Sequence, residues 1–164
     1  MKTLVCVSVF GRDEEELGAR VAAALSRGAD LVEARIVLSG YGDLEKLSAV
    51  LRPFAEKLVL TCRPVDEGGR STLSRDERIG LLSVVAGSGV GYIDAELSAV
   101  DADAAARLKR VCRTLIVSWH NYETTPETEF LVGVGRECLR YGDVAKVVTF
   151  SHGEEDNFRI LSLY

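Results

Sequence analysis

No stretch of this 164-residue chain is long and apolar enough to cross a bilayer. The opening "MKTLVCVSVFG" has too short an apolar run for a secretion signal and leads straight into "GRDEEE". Basic clusters are missing as well: 20 Lys and Arg are interspersed with 25 Asp and Glu, for a net charge of −5. That excludes the basic footprint of a nucleic-acid surface and the polybasic stretch of a membrane-binding one. The four cysteines, Cys6, Cys62, Cys112 and Cys138, contain no C-x-x-C pair, and the only two histidines lie far apart. Metal-ligand spacing is therefore absent, and reduced, mostly buried thiols in a cytoplasmic protein are expected. No G-x-G-x-x-G follows the first apolar run, and "FGRDEEE" is a poor phosphate cradle, which counts against nucleotide binding.

What is present is a core-forming composition, 47% hydrophobic, with a mean hydropathy of +0.10. It suffices for one compact domain over residues 1–164. Two hydrophobic periods alternate along it. Short β-branched runs read as strands: "TLVCVSVF", "LVEARIVL", "KLVLTCR", "GYIDAEL", "TLIVSWH" and "VAKVVTF". Between them stand helical patterns: "DEEELGARVAAALSRG", "DLEKLSAVLRPFAE", "SRDERIGLLSVVAGSG", "DADAAARLKRVCR" and "TPETEFLVGVGRECLRYG", with "GEEDNFRILSLY" as a sixth. Asp13, Ser74 and Asp101 suit N-caps, Gly28, Gly89 and Gly142 suit helix stops, and Pro126 suits the first turn of the fifth helix. Regular alternation predicts right-handed βαβ units and a parallel sheet, either an open flavodoxin-like sheet or a (β/α) barrel.

Charge placement chooses between the two. Parallel strands covered on both faces are almost wholly apolar. Here Glu33, Arg35, Arg63, Asp94, Glu96, His120 and Lys146 intrude toward the strands' C-terminal halves. Glu33 and Arg35 are two apart and share a face, as do Asp94 and Glu96. Buried charge is costly unless paired, so these groups must converge. The C-terminal mouth of a barrel brings them together, and the expected fold is α/β of the (β/α)8 TIM-barrel type.

Lys146 is the one lysine of five flanked on both sides by an apolar strand. It is either a snorkelling or ion-paired side chain, with Glu33 or Glu96 as partner, or an amine activated by desolvation and neighbouring cations to attack a carbonyl. His120, one strand earlier and read at the same height, fits a proton shuttle for that amine, although a lone histidine is commonly structural. His152 falls in a polar turn and reads as a loop or cap residue. In "LTCRPVDEGGR", the Gly68–Gly69 pair lets the chain fold back so that Glu67 can orient the imidazole.

Taken together, "VSVFG", "LVEARI", "LTCRPVDEGGR", "YIDAEL", "SWHNYETTP" and "AKVVTF" occur in an order and spacing that resemble type I 3-dehydroquinate dehydratase, the Schiff-base class of the shikimate pathway. The resemblance covers essentially the whole chain. It implies that Lys146 forms an imine with the substrate, that His120 is the general acid and base, and that Glu67 orients His120. Glu33, Arg35 and Arg63 match positions that hold substrate hydroxyls, and Ser8 matches a serine at the same mouth. The implied reaction is syn dehydration of 3-dehydroquinate to 3-dehydroshikimate, with no metal or organic cofactor.

The family's barrel has eight strands, whereas six are legible here. In the family a seventh strand supplies an arginine, and later loops a serine and a glutamine, for the substrate carboxylate. The expectation is therefore a barrel lacking its last two βα units, with two open strand edges and weak substrate binding. Phe150 stands where the family commonly has methionine. The competing readings are an incompetent barrel fragment that needs a C-terminal piece or partner, and another Schiff-base lyase or aldolase. The expected partner is a small-molecule substrate, with no nucleic acid or membrane, and the expected assembly is a homodimer.

Overall fold

The computed structural model describes residues 3–37, 43–87 and 89–163. Met1, Lys2, Leu38, Ser88 and Tyr164, all within stretches quoted above, lie outside the described residues. Strands and helices alternate as the hydrophobic periods require: β1 (Cys6–Val9), α1 (Glu14–Ser26), β2 (Leu31–Arg35), α2 (Leu44–Leu51), β3 (Leu58–Thr61), α3 (Arg75–Ala86), β4 (Val90–Glu96), α4 (Ala102–Lys109), β5 (Cys112–Asn121), α5 (Thr128–Tyr141), β6 (Val144–Thr149) and α6 (Glu154–Leu161). Every pairing is parallel, and the sheet order follows the chain order from β1 to β6. The six strands curl into half of an α/β barrel, with the helices on the convex side.

The period of two along each strand sorts the sequence onto two faces. Val32, Ala34, Leu58, Leu60, Ile93, Ala95, Leu115 and Val117 turn outward and are buried in one apolar core beneath the helices. Leu17 and Val21 of α1, Leu47 of α2, Leu82 of α3 and Leu108 of α4 close that core from the other side. The alternate residues face the barrel interior. Register aligns Ser8 with Glu33, Glu33 with Val59, Val59 with Tyr92 and Tyr92 with Thr114. One pleat higher, Arg35, Thr61, Asp94, Ile116 and Val144 are aligned in the same way. The in-strand charges thus occupy the concave face because they keep the parity opposite to the core residues.

Helix ends follow local chemistry. Asp13 accepts from the Glu16 amide, Asp101 from the Ala104 amide, and Ser74 forms a reciprocal capping box with Glu77. Gly142 caps α5, and Gly28 follows the Arg27 cap of α1. Four expected boundaries move. The second helical pattern splits, because Pro53 has no amide hydrogen to continue α2, and Arg52–Lys57 tighten into a 3-10 helix. Gly87, at φ +58°, ends α3 before Gly89 is reached. Pro126 lies ahead of the Glu127 cap of α5, outside its first turn. Likewise Cys112 and Arg113, read as the end of a helix, begin β5 because Cys112 pairs with Val90.

All four cysteines are free: Cys62 and Cys138 are buried and Cys112 half-buried, but Cys6 is exposed, since β1 is an edge strand with no described neighbour on its other side. No described helix is long and apolar enough to cross a membrane.

Leu115 is fully buried at the centre of β5. Leu115→Ala should therefore lower stability by about 2–5 kcal/mol, read as a lower urea midpoint with an unchanged slope.

Candidate active site

Arg63, just past β3, is the hub of the concave face. Its side chain is 3% exposed, and its Nη2 donates to Asp94 Oδ1 at 2.7 Å. Its Nη1 donates to Ser118 Oγ at 2.7 Å and to Glu96 Oε1 at 3.3 Å, with Glu67 Oε2 at 3.6 Å. Burial alone would pull this guanidinium's pKa down, but Asp94, Glu96 and Glu67 outweigh it and hold the pKa above its ordinary value. Burial pushes the Asp94 carboxyl upward, yet Arg63, Lys146 and Ser118 prevail and keep it below the usual carboxylate range. Glu96 goes the other way: burial raises its pKa despite Arg63 and Arg78, whose contacts are longer, at 3.3 and 3.4 Å.

Lys146 on β6 points into this network. Its Nζ lies 2.8 Å from Asp94 Oδ2, and its side chain is 35% exposed, so the amine meets both the carboxylate and the open mouth. Its partner is Asp94, two strands away, and neither Glu33 nor Glu96. Register places Ser118, not His120, opposite Lys146, and His120 is opposite Val148. The two residues between Ser118 and His120 keep the imidazole on the same face, about 6.6 Å nearer the mouth along the strand. The expected equal heights are therefore corrected by one pleat.

His120 Nδ1 lies 2.9 Å from Glu67 Oε2, and its side chain is 4% exposed. An ionised Glu67 makes Nδ1 the donor, and among the described residues Nε2 has no hydrogen-bond partner. Ser98 Oγ donates to the other Glu67 oxygen at 3.0 Å, and Tyr122 stacks on the imidazole at 5.8 Å. The turn carrying Glu67 depends on its two glycines. Gly68 sits at φ +72°, where a Cβ would lie 2.6 Å from the Tyr122 ring. A Cβ on Gly69 would lie 2.0 Å from the Arg63 carbonyl oxygen, across the tight turn closed by Gly69 N–H donating to Pro64 O at 2.8 Å.

The remaining expected residues form the other flank. Ser8 Oγ donates to Glu33, and Arg35 Nε donates to Glu33 at 3.3 Å, so β1 and β2 join the mouth. His152 lies apart, exposed, with Nε2 2.7 Å from the Glu123 carbonyl oxygen. Phe150 is half exposed and meets the His152 ring edge-on. Asp94 and Ser118 belong to the constellation although sequence reading assigned them no role. Asp94's signal was its parity with Glu96, and Ser118's was its place two residues before His120. Among the described residues no group of three or more His, Cys, Asp or Glu could hold a metal ion.

Asp94→Asn would leave Arg63 and Lys146 short of a buried countercharge, and stability near neutral pH should fall by roughly 3–5 kcal/mol. The sign with pH follows from the depressed pKa. The carboxylate's contribution is present above its unfolded pKa and lost as pH falls through the lower folded one. Urea midpoints of the two proteins should converge as pH drops below about 4.

The family model described as type I 3-dehydroquinase matches residues 5–164. A 3-dehydroquinate dehydratase from Methanopyrus kandleri is 34% identical over 165 residues, covering 98% of this chain and 73% of that protein. One from Methanothermobacter thermautotrophicus is 33% identical over 164 residues, with 99% and 73% covered. The crystal structure of 3-dehydroquinate dehydratase from Geobacillus kaustophilus superposes with a TM-score of 0.87 at 27% identity, covering 99% of this chain and 68% of that one. This chain is a member of the type I 3-dehydroquinase family.

Proposed function

We propose that residues 1–164 act as one barrel domain that dehydrates 3-dehydroquinate to 3-dehydroshikimate through an imine on Lys146. The observation that carries this reading is a lysine and a carboxylate-oriented histidine on one concave face of adjacent strands. The names of the relatives supply the substrate.

In this reading Lys146 loses its proton and its nitrogen attacks the C3 ketone; loss of water leaves an iminium. Asp94, 2.8 Å away, holds the lysine in place and stays as countercharge when the nitrogen becomes cationic again in the iminium. His120 Nε2 takes a proton from C2, and the released electron pair moves into the iminium to give an enamine. Glu67 stabilises the imidazolium that results, through Nδ1–H. The enamine then expels the C1 hydroxyl, which takes the proton from His120 and departs as water. Hydrolysis of the conjugated iminium frees the lysine. Glu33, Arg35, Arg63 and Ser8 hold the substrate hydroxyls, although Arg63 already serves three carboxylates and has little capacity left. The setting of this chemistry is the shikimate pathway in the cytoplasm, with a homodimer as the proposed assembly.

Borohydride added with 3-dehydroquinate should trap a reduced adduct on Lys146, seen as a mass increase on its peptide. A folded protein with no adduct would remove imine chemistry. His120→Ala should still be trapped, while its turnover falls about 10²–10⁴-fold, as loss of a general acid and base requires. Normal turnover by that variant would remove the role given to His120.

A further inference from the structure

The carboxylate that orients His120 has a second oxygen, and one side chain holds it. Glu67 Oε2 lies 2.9 Å from His120 Nδ1 and 3.6 Å from Arg63 Nη1. Its other oxygen, Oε1, accepts from Ser98 Oγ at 3.0 Å. His120 and Arg63 thus converge on one oxygen, and among the described residues Ser98 alone is bonded to the other.

The fold sets Ser98 there. Glu96 of β4 is paired with Ser118 of β5. Ser98 follows Glu96 by two residues and His120 follows Ser118 by two, and the turn leaving β4 packs against β5. That turn, Leu97–Ala99, is a 3-10 helix closed by Val100 N–H donating to Leu97 O at 3.3 Å. Arg75 at the start of α3 donates from Nε to Ala99 O at 2.8 Å, Ala99 is fully buried, and Asp101 caps α4. The backbone carrying Ser98 is therefore pinned by α3, α4 and the core, while Ser98 itself is exposed at the mouth.

The imidazole has little freedom of its own: it is buried, and the Tyr122 ring lies 14° from parallel to it. Glu67 is the member with torsional freedom. It ends a three-residue 3-10 turn, Val65–Glu67, and the last torsion of a glutamate side chain is broad. Rotation about that bond can swing Oε2 away from Nδ1 and toward Arg63, whose charge attracts a carboxylate more strongly than a neutral imidazole does. A donor fixed on Oε1 sets the rotation and leaves Oε2 facing Nδ1.

We propose that Ser98 is a positioning residue, whose hydroxyl fixes the Glu67 carboxylate so that His120 carries its proton on Nδ1 and keeps Nε2 bare toward the mouth. Its chemical consequence rests on the proposed dehydratase reading, in which that bare nitrogen takes the C2 proton. Ser98 acts through Glu67 and takes no part in proton transfer.

The first readout needs no substrate. Long-range proton–nitrogen NMR correlations of the neutral His120 ring, assigned by their loss in His120→Ala, should show Nδ1 protonated and Nε2 bare. Ser98→Ala should move both nitrogens toward the values of a tautomer mixture. Ser98→Thr, which keeps the hydroxyl and has room for its methyl in solvent, should move them back. In turnover of 3-dehydroquinate, Ser98→Ala should lower kcat about three- to tenfold with KM within about twofold, the size expected for one hydrogen bond to a charged group. Ser98→Thr should recover at least half of the lost rate. In a Glu67→Ala background, Ser98→Ala should change kcat no further, because the two residues act through one contact. An unaltered tautomer in folded Ser98→Ala would overturn the positioning role, as would an Nε2-protonated ring in the unsubstituted protein. A rise in KM at constant kcat, or an equal loss with and without Glu67, would also overturn it. Borohydride trapping on Lys146 should be as strong in Ser98→Ala as in the unsubstituted protein. Absence of adduct and turnover in the unsubstituted protein would remove the dehydratase reading alone, since the tautomer measurement still decides the role of Ser98.

Discussion

A guanidinium buried among carboxylates sets the terms for this fold's concave face. Arg63 is 97% withdrawn from water, and an isolated charge there would cost several kcal/mol. Asp94, Glu96, Glu67 and Ser118 offset that cost by reaching it from β4, from the turn after β3 and from β5. Asp94 is itself held ionised by Arg63 and Lys146 against the effect of its burial. Asp94 is shared between Arg63 and Lys146, and Glu96 between Arg63 and Arg78. Four neighbouring strands are therefore tied together by charge on one face and by the apolar core on the other.

On the same face, fully paired carboxylates lie beside groups with fewer partners. Asp94 and Glu96 are each shared by two cationic partners. Lys146 stands level with Glu96 and Ser118 and is more than a third exposed, and one pleat higher His120 Nε2 has no hydrogen-bond partner among the described residues. On the Gly68–Gly69 turn, the first flank brings Glu67 onto His120, and the second brings Arg70 over the Phe10 ring. Any side chain on Gly69 would strike the Arg63 carbonyl, so the turn and the hub are one mechanical unit.

At either side of the described sheet, β1 and β6 each have one strand neighbour. Leu4, Val5 and Val7 near β1, and Val144, Phe158 and Leu161 near β6, are substantially exposed. Cavities of about 280 and 430 Å³ lie against β6 and α6. The chain spans about seven-tenths of the length of the relatives it matches, and these apolar edges flank that span.

Much of the fold was legible because hydrophobic periodicity is local. Alternation of periods fixed six strands and six helices, and the parity of Glu33 with Arg35 and of Asp94 with Glu96 assigned charge to one face. Side-chain caps at Asp13, Ser74 and Asp101 needed only neighbouring amides. The motif resemblance pointed to Lys146, His120 and Glu67, and the structure brings those side chains to one mouth. The pairings between strands were not legible, because they depend on register, which sequence periodicity leaves free by two residues at a time. That freedom hid Asp94 as the partner of Lys146, set His120 one pleat above the lysine, and drew Arg70 across β2 to Phe10. Sequence determined which residues face inward; only tertiary structure decided which of them meet, since contact across a barrel depends on curl and stagger that no single strand encodes.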